Sequence, residues 1–152
     1  SYTTVENAPG SNGAQDIVAY ETASGKRTIL VSHQQLTPAK ATRPLRIEDY
    51  QWSRDESRLL VYTESRRVWR TNSRGDYWVL HRPSGELRKL GGDAPPSSLS
   101  FAKFSPDGAK VAYVRGNNLY VEDLAGGKII ALTSDGSATL VNGASDWVYE
   151  EE

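Results

Sequence analysis

Short apolar stretches with an alternating pattern recur along the chain, and helical spacing is nearly absent. Turn residues separate the stretches, such as Ser24-Gly25 and Pro106-Asp107-Gly108, where Pro fixes φ and Gly tolerates a positive φ. The pattern indicates an all-β chain. The predicted strands cover residues 16–20, 27–31, 47–53, 58–63, 76–81, 86–90, 99–104, 110–115, 118–122 and 128–133.

An aromatic–Ser–x–Asp motif starts at Trp52 and recurs at Phe104, 52 residues later. This spacing suits a four-stranded propeller blade with one long loop, here residues 64–75. A Greek-key sandwich stays open as an alternative. Blades of roughly 40–50 residues would number about three here, whereas closed propellers have about four to eight. We therefore predict a partial β-propeller, a fragment of a larger protein.

The predicted boundaries follow from this repeat. Residues 1–46 form a partial blade, and residues 47–98 form a blade with an arginine-bearing loop. Residues 99–136 form a further blade, and residues 137–152 lead into an acidic run at the end of the chain.

Composition excludes several classes of function. The 152 residues include no Cys and carry a net charge of −1, which excludes thiolate chemistry and disfavours a general nucleic-acid binder. No apolar run is long enough to span a membrane. There is no G-x-S-x-G motif, and neither His33 nor His81 lies in a triad or metal pattern. We expect no catalytic residue, metal or cofactor in this chain, and the missing initial Met suggests processing or trimming.

The acidic run at residues 146–152 (D-W-V-Y-E-E-E) permits two interpretations. Consecutive carboxylates most often form a solvated turn. Alternatively, two adjacent carboxylates can hold an ammonium group, which has three donors and no acceptor, by charge-assisted hydrogen bonds.

A second candidate is the loop at residues 66–74, which has four arginines and Trp69. It could stack nucleic-acid bases on the indole, grip a peptide carbonyl with a guanidinium fork, or form a basic surface above a packed Trp69. Spacing alone leaves these three interpretations open.

Residues 146–152, preceded by Asn142-Gly143, resemble the glutamate motif of the dipeptidyl peptidase IV family, which are serine exopeptidases of the prolyl oligopeptidase class. Trp69-Arg70 resembles the segment carrying the arginine that this family places beside its substrate. The turn at residues 104–108 and the strand at 110–114 also resemble a blade of the family. The resemblance covers residues 47–152, roughly, and is loose before them.

The resemblance implies an eight-bladed propeller that caps an α/β-hydrolase domain, and a homodimer. By family position, Glu151 and Glu152 would bind the substrate's N-terminal ammonium, and Arg70 would bind a backbone carbonyl. The serine, aspartate and histidine of catalysis would lie in the hydrolase domain, beyond this chain. The substrates would be peptides with a free N-terminus and Pro or Ala at the second position, losing an Xaa-Pro or Xaa-Ala dipeptide.

Alternatives remain beside this expectation. A non-catalytic β-propeller that binds peptides or proteins is the second hypothesis, and related enzymes could release tripeptides instead. Nucleic-acid binding by residues 66–74 ranks third, so we expect no nucleic-acid partner. The absence of Cys and of N-x-S/T sequons favours a bacterial, periplasmic or secreted protein.

Overall fold

The computed structural model describes residues 1–68 and 71–144, and for residues 71–73 it describes the backbone alone. Every helix-or-strand element in this part of the chain is a β-strand, and every strand pairing is antiparallel, as the alternating pattern predicts. In chain order the strands are β1 (Tyr2–Asn7), β2 (Gln15–Tyr20), β3 (Arg27–Val31), β4 (Asp49–Trp52), β5 (Arg58–Val68), β6 (Thr71–His81), β7 (Glu86–Lys89), β8 (Leu99–Phe104), β9 (Lys110–Arg115), β10 (Asn118–Asp123) and β11 (Ile129–Ala131).

The strands form three successive meanders, which we call blade I (β1–β3), blade II (β4–β7) and blade III (β8–β11). Within each blade, consecutive strands are neighbours, so the Greek-key alternative is excluded for the described strands. Blades II and III are joined by one pairing, between Gly75 and Leu99. The three blades follow one another without closing a ring among the described strands.

The three consecutive apolar residues Leu59, Leu60 and Val61 of β5 explain how the blades stack. Side chains alternate between the faces of a strand, so Leu59 and Val61 face blade I, whereas Leu60 faces blade III. Each fully buried side chain of this kind contributes about 1.5–3 kcal/mol. The cluster between blades I and II comprises Ile17, Val31, Leu36, Ile47, Leu59, Val61 and Leu80. The cluster between blades II and III comprises Leu60, Val79, Leu90, Leu99, Ala102, Val111 and Tyr113.

The repeated Ser–x–Asp motif forms the same turn twice. Ser53 Oγ donates to Asp55 Oδ1 (2.7 Å) and accepts the backbone N–H of Arg58 (2.9 Å). Ser105 Oγ donates to Asp107 Oδ1 (2.6 Å) and accepts the N–H five residues on (2.9 Å). The hydrogen bond from Ser53 is the main cause that lowers the pKa of Asp55 to about 2, and Ser105 lowers the pKa of Asp107 likewise. The spacing of 52 residues is therefore a structural repeat.

The predicted loop at residues 64–75 is mostly strand. β5 continues to Val68 and β6 begins at Thr71, so these strands pair far beyond the sheet core, with irregularities after Thr63 and after Arg66. This extension has no apolar alternation in its sequence because it is a two-stranded ribbon outside the packed layers. Among the described residues, no helix is long and apolar enough to cross a membrane.

Candidate functional site

Alternate connections of an antiparallel meander lie at the same edge of the sheets. In blades II and III one edge carries the β5–β6 extension, the β7–β8 connection (residues 90–98), the β9–β10 turn at Gly116-Asn117 and the segment 132–144 after β11. We call this edge the rim. An ion pair crosses it, since Arg115 Nη1 lies 3.2 Å from Asp93 Oδ1, and so ties the end of β9 to the β7–β8 connection.

The β5–β6 extension is anchored where it leaves blade II. Asp76, only 7% exposed, accepts the Ser97 backbone N–H at Oδ1 (2.8 Å) and the Lys89 ammonium at Oδ2 (2.7 Å). The Ser97 hydroxyl donates to the carbonyl oxygen of Glu64 (2.6 Å), which has a left-handed φ of 49°. A buried carboxylate without such donors would be costly, so these bonds fix the local geometry.

Two tyrosine rings are in contact next to the point where the extension leaves blade II. Tyr62 and Tyr77 lie opposite each other on β5 and β6, with ring centroids 4.8 Å apart. Gly75 lets the chains approach, because a Cβ there would lie 2.4 Å from the Tyr62 ring. Burial raises the pKa of Tyr62 to about 12, so its phenol is neutral at physiological pH. The rings line a cleft of about 180 Å³ between blades II and III, with Asp49, Tyr50, Gln51, Leu60, Phe101, Ala102 and Lys103 as its other walls.

In blade III the β9–β10 turn holds the segment that leads toward the acidic run. Asn118 Oδ1 accepts the Gly136 backbone N–H (2.9 Å) and the Thr133 hydroxyl (3.0 Å). Asn117 donates its side-chain amide to the Ser137 carbonyl (2.8 Å), and its own carbonyl accepts the N–H of residue 142 (3.0 Å). Residues 133–142 are thereby fixed to the rim.

A buried carboxylate, that of Glu122, also ties blades II and III together. Glu122 on β10 accepts the Gly91 backbone N–H (2.9 Å) and the Tyr113 hydroxyl (3.3 Å), and it lies 3.6 Å from Arg88 on β7. Burial raises the pKa of Tyr113, and the neighbouring Glu122 adds to that shift. Because the Glu122 carboxylate has hydrogen-bonding and charged partners within the protein, these contacts stabilise the interface between the two blades.

The predicted substrate residues Arg70, Glu151 and Glu152, with Trp69, lie outside the described residues. The structure describes the segments that lead to them. Val68 pairs with Thr71 on the extension, and the chain before the acidic run is described to Ala144, on the rim. Both leading segments therefore belong to one edge of the molecule.

The two histidines have structural contacts. His33 donates its backbone N–H to Asp16 Oδ1 and also places Nδ1 2.8 Å from that oxygen. Burial alone would raise the pKa of Asp16, but the hydrogen bonds from His33 outweigh it and lower the pKa. His81 Nδ1 contacts Ser84 Oγ at 2.7 Å inside an exposed turn.

Sequence reasoning missed the anchoring residues Ser97, Asp76 and Asn118. Ser97 lies 33 residues from Glu64, so nothing local in the sequence indicates their contact. An Asp at the start of an apolar strand, such as Asp76, was the available signal, because a charged group there needs buried partners.

Comparisons with known proteins agree with this architecture. The probable dipeptidyl-aminopeptidase B of Podospora anserina is 32% identical over 148 residues, covering 97% of this chain and 15% of that protein. The dipeptidyl aminopeptidase B of Saccharomyces cerevisiae is 38% identical over 109 residues, covering 71% of this chain and 13% of that protein. The crystal structure of Porphyromonas gingivalis dipeptidyl peptidase 4 superposes with a TM-score of 0.79 at 27% identity, covering 99% of this chain and 20% of that one.

These findings define a partial β-propeller with its irregular connections gathered at one rim, and they confirm the predicted fold class. The family model described as "Dipeptidyl peptidase IV (DPP IV) N-terminal region" matches residues 53–152. The chain belongs to this family, as the resemblance predicts. It spans about a seventh of the length of the curated relatives named above.

The predicted bacterial, periplasmic location is wrong, because the curated relatives at 30–38% identity come from fungi. The prediction depended on the absence of Cys and of glycosylation sequons. Both are rare residues or patterns that a segment of this length can lack in any compartment, so their absence carries little information.

Proposed function

We propose that this chain is the substrate-holding part of a dipeptidyl peptidase that removes Xaa-Pro or Xaa-Ala dipeptides from peptide N-termini. Family membership and the names of the relatives, which are dipeptidyl-aminopeptidases, support this proposal. The whole enzyme's activity is part of the proposal because the chain covers only 15% of the Podospora relative.

In this proposal Glu151 and Glu152 bind the free N-terminal ammonium of the substrate. Adjacent carboxylates repel each other, and a bound ammonium relieves that repulsion while donating charge-assisted hydrogen bonds to them. Arg70 donates its guanidinium N–H groups to a backbone carbonyl oxygen near the same end of the substrate. A peptide held at both points has a fixed direction.

The observation that carries the proposal is the common rim. The extension that leads to Arg70 and the segment that leads to the acidic run are both held there, by Ser97 and by Asn117-Asn118. An extended peptide advances about 3.3–3.6 Å per residue, so an ammonium site two residues from a nucleophile sets the length of the product. Binding at this remote point also positions the scissile carbonyl and lowers the entropic part of the barrier.

Bond cleavage belongs, in this proposal, to an α/β-hydrolase domain with a serine nucleophile elsewhere in the full-length protein. Water adds across the peptide bond after the second residue and releases a dipeptide and a shortened peptide. We also propose that residues 1–46 form a partial blade, that residues 47–98 and 99–136 each form a blade of an eight-bladed propeller, and that residues 137–152 lead into the glutamate run. The proposed enzyme is a homodimer.

Substitution of the two glutamates in the full-length enzyme tests the proposal. We expect Glu151→Ala or Glu152→Ala to lower kcat/KM about a hundredfold or more, equal to roughly 3 kcal/mol, because a desolvated charge pair is broken. Glu150→Ala is the matched control, since it removes a neighbouring carboxylate that has no proposed contact with the substrate. Activity within twofold of the wild type in both test variants would contradict the ammonium site. Peptide binding without hydrolysis by the full-length protein would favour the non-catalytic module.

A further inference from the structure

The β5–β6 extension leaves blade II at one defined point. Pairing between the strands is regular from Arg58 to Thr63 and is interrupted between Thr63 and Arg66. Glu64 lies in this interruption with a φ of 49°, a left-handed conformation that an ordinary residue keeps only where its surroundings impose it. Glu64 is therefore the position at which the direction of the extension is set.

The β7–β8 connection holds this point from outside the hairpin. The Ser97 hydroxyl donates to the Glu64 carbonyl (2.6 Å). Its backbone N–H donates to Asp76 (2.8 Å), a residue of β6 at the base of the extension. Ser97 is 9% exposed and has a φ of 55°, so it too is buried in an unusual backbone conformation. Lys89 fixes the other oxygen of Asp76 at 2.7 Å.

We propose that Ser97 and Asp76 are positioning residues for substrate binding, acting through the direction of the β5–β6 extension. The inference rests on the role proposed above for Arg70, which lies six residues after Glu64 in the sequence. One bond from Ser97 reaches the strand that leads to Arg70, and the other reaches the strand that returns from it. A single connection thus holds both sides of the hairpin, and neither Ser97 nor Asp76 needs to touch the substrate.

Rigid placement matters because a small displacement of a binding group weakens every contact it makes with an oriented substrate. A change of direction at the base of a two-stranded ribbon displaces the residues farther along it by a larger distance. We therefore expect loss of the Ser97 hydroxyl to weaken substrate binding, with little effect on the folding of the blades.

The first test is Ser97→Ala in the full-length enzyme, with Ser98→Ala as the matched control. Ser98 lies in the same connection and donates its hydroxyl to the Pro95 carbonyl (2.6 Å), away from the hairpin. We expect Ser97→Ala to lower kcat/KM about tenfold, mainly through KM, and Ser98→Ala to change it less than about twofold. Ser97→Gly guards against a folding defect, because it lacks the hydroxyl but accepts the left-handed φ without strain. Equal kcat/KM for Ser97→Gly, Ser98→Ala and the wild type would overturn the inference.

A double-mutant cycle separates positioning from general destabilisation. If Ser97 acts through Arg70, Ser97→Ala has no further effect on kcat/KM once Arg70→Ala is present. The same tenfold loss in both backgrounds, about 1.4 kcal/mol in each, would mean that Ser97 acts elsewhere.

The cycle also tells failure of this inference from failure of the proposed function. If Arg70→Ala alone leaves kcat/KM unchanged, the proposed role of Arg70 is wrong. The effect of Ser97 on the β5–β6 extension is then measured directly, as the rate of trypsin cleavage after Arg66, Arg67 and Arg74. Faster cleavage in Ser97→Ala than in Ser98→Ala supports the inference that Ser97 holds the extension in place, because proteolysis reports local opening. Equal cleavage rates overturn it.

Discussion

Blades II and III share one framework and differ at the rim. In both, the first strand ends at an aromatic residue that is followed by the same Ser–x–Asp turn, and the second strand starts with the same hydrogen bond to Ser53 or Ser105. At the rim, the 11-residue strands β5 and β6 of blade II extend beyond the packed core, whereas blade III turns within Gly116-Asn117. The Ser–x–Asp turns are therefore the same in both blades, whereas the rim connections differ.

The contacts that hold the rim segments also run in opposite directions in the two blades. In blade II the connection to the next blade holds the hairpin, because Ser97 bonds to Glu64. In blade III the hairpin turn holds the connection, because Asn118 bonds to Gly136 and Thr133. In each case the shorter segment immobilises the longer one, and the longer one leads to a residue proposed to bind substrate. Function is placed on loops that a rigid scaffold positions.

Breaking the blade interfaces is expected to have the largest effect. Leu60→Ala removes a side chain from the cluster between blades II and III, and Leu59→Ala removes one from the cluster between blades I and II. Each should cost about 2–5 kcal/mol because a cavity remains. Hydrogen exchange of the full-length protein should show loss of protection in blade III for Leu60→Ala and in blade I for Leu59→Ala. The same pattern for both variants would contradict the assignment of faces.

Loss of the contacts by which Asn118 holds residues 133–142 should have a smaller effect. Asn118→Ala leaves the Gly136 N–H and the Thr133 hydroxyl without their acceptor, a cost of about 1–3 kcal/mol confined to this segment. We expect faster hydrogen exchange in residues 133–142. Asn118→Asp keeps an oxygen at the accepting position and serves as the control. Unchanged exchange in the Ala variant would show that the turn does not hold the segment.

The repeated turn offers a paired test with opposite signs. Glu56 has a φ of 56° at the position where blade III has Gly108, with a φ of 68°. We expect Glu56→Gly to stabilise the protein by up to about 1 kcal/mol and Gly108→Ala to destabilise it by a similar amount, because only Gly adopts this conformation without a steric penalty. Denaturant midpoints of the full-length protein check both, and shifts of the same sign would contradict a shared turn geometry.

The smallest expected effect is on acid stability. The pKa of Asp55 is lowered from 3.8 to about 2, so its ionised form stabilises the folded state above pH 3.8 and this contribution is lost as pH falls toward 2. Asp107 shifts in the same direction. Asp55→Asn should therefore lower the thermal midpoint more at about pH 5 than at about pH 2.5. A difference that is independent of pH would mean that ionisation of Asp55 does not contribute.

The strands that pack into the blades were predictable, and the rim was not. The run Leu59-Leu60-Val61 and the strand Lys110–Arg115 show apolar residues at the positions that packing requires. The extension at residues 64–75 was predicted as a loop because its side chains face no core, so burial leaves no pattern in the sequence. β1 was missed for a related reason, since it is an edge strand with no fully buried residue.

Of the candidate site, the residues proposed to bind substrate came from the resemblance, whereas their supports came from the structure. Arg70, Glu151 and Glu152 were identified from short motifs. Ser97 and Asp76 were not, because a hydrogen bond between residues far apart in sequence depends on how the blades stack. Such contacts follow from tertiary packing and have no local signature.

The most direct test of the proposed function compares two substrates on the full-length enzyme. One is a Gly-Pro chromogenic amide with a free N-terminus, and the other is the same compound with a neutral acetamide in place of the ammonium group. We predict rapid hydrolysis of the free amine and loss of at least about a hundredfold in kcat/KM for the acetylated compound, because a neutral amide cannot replace the cation between Glu151 and Glu152. Equal hydrolysis of both would contradict the proposed binding of the ammonium by Glu151 and Glu152.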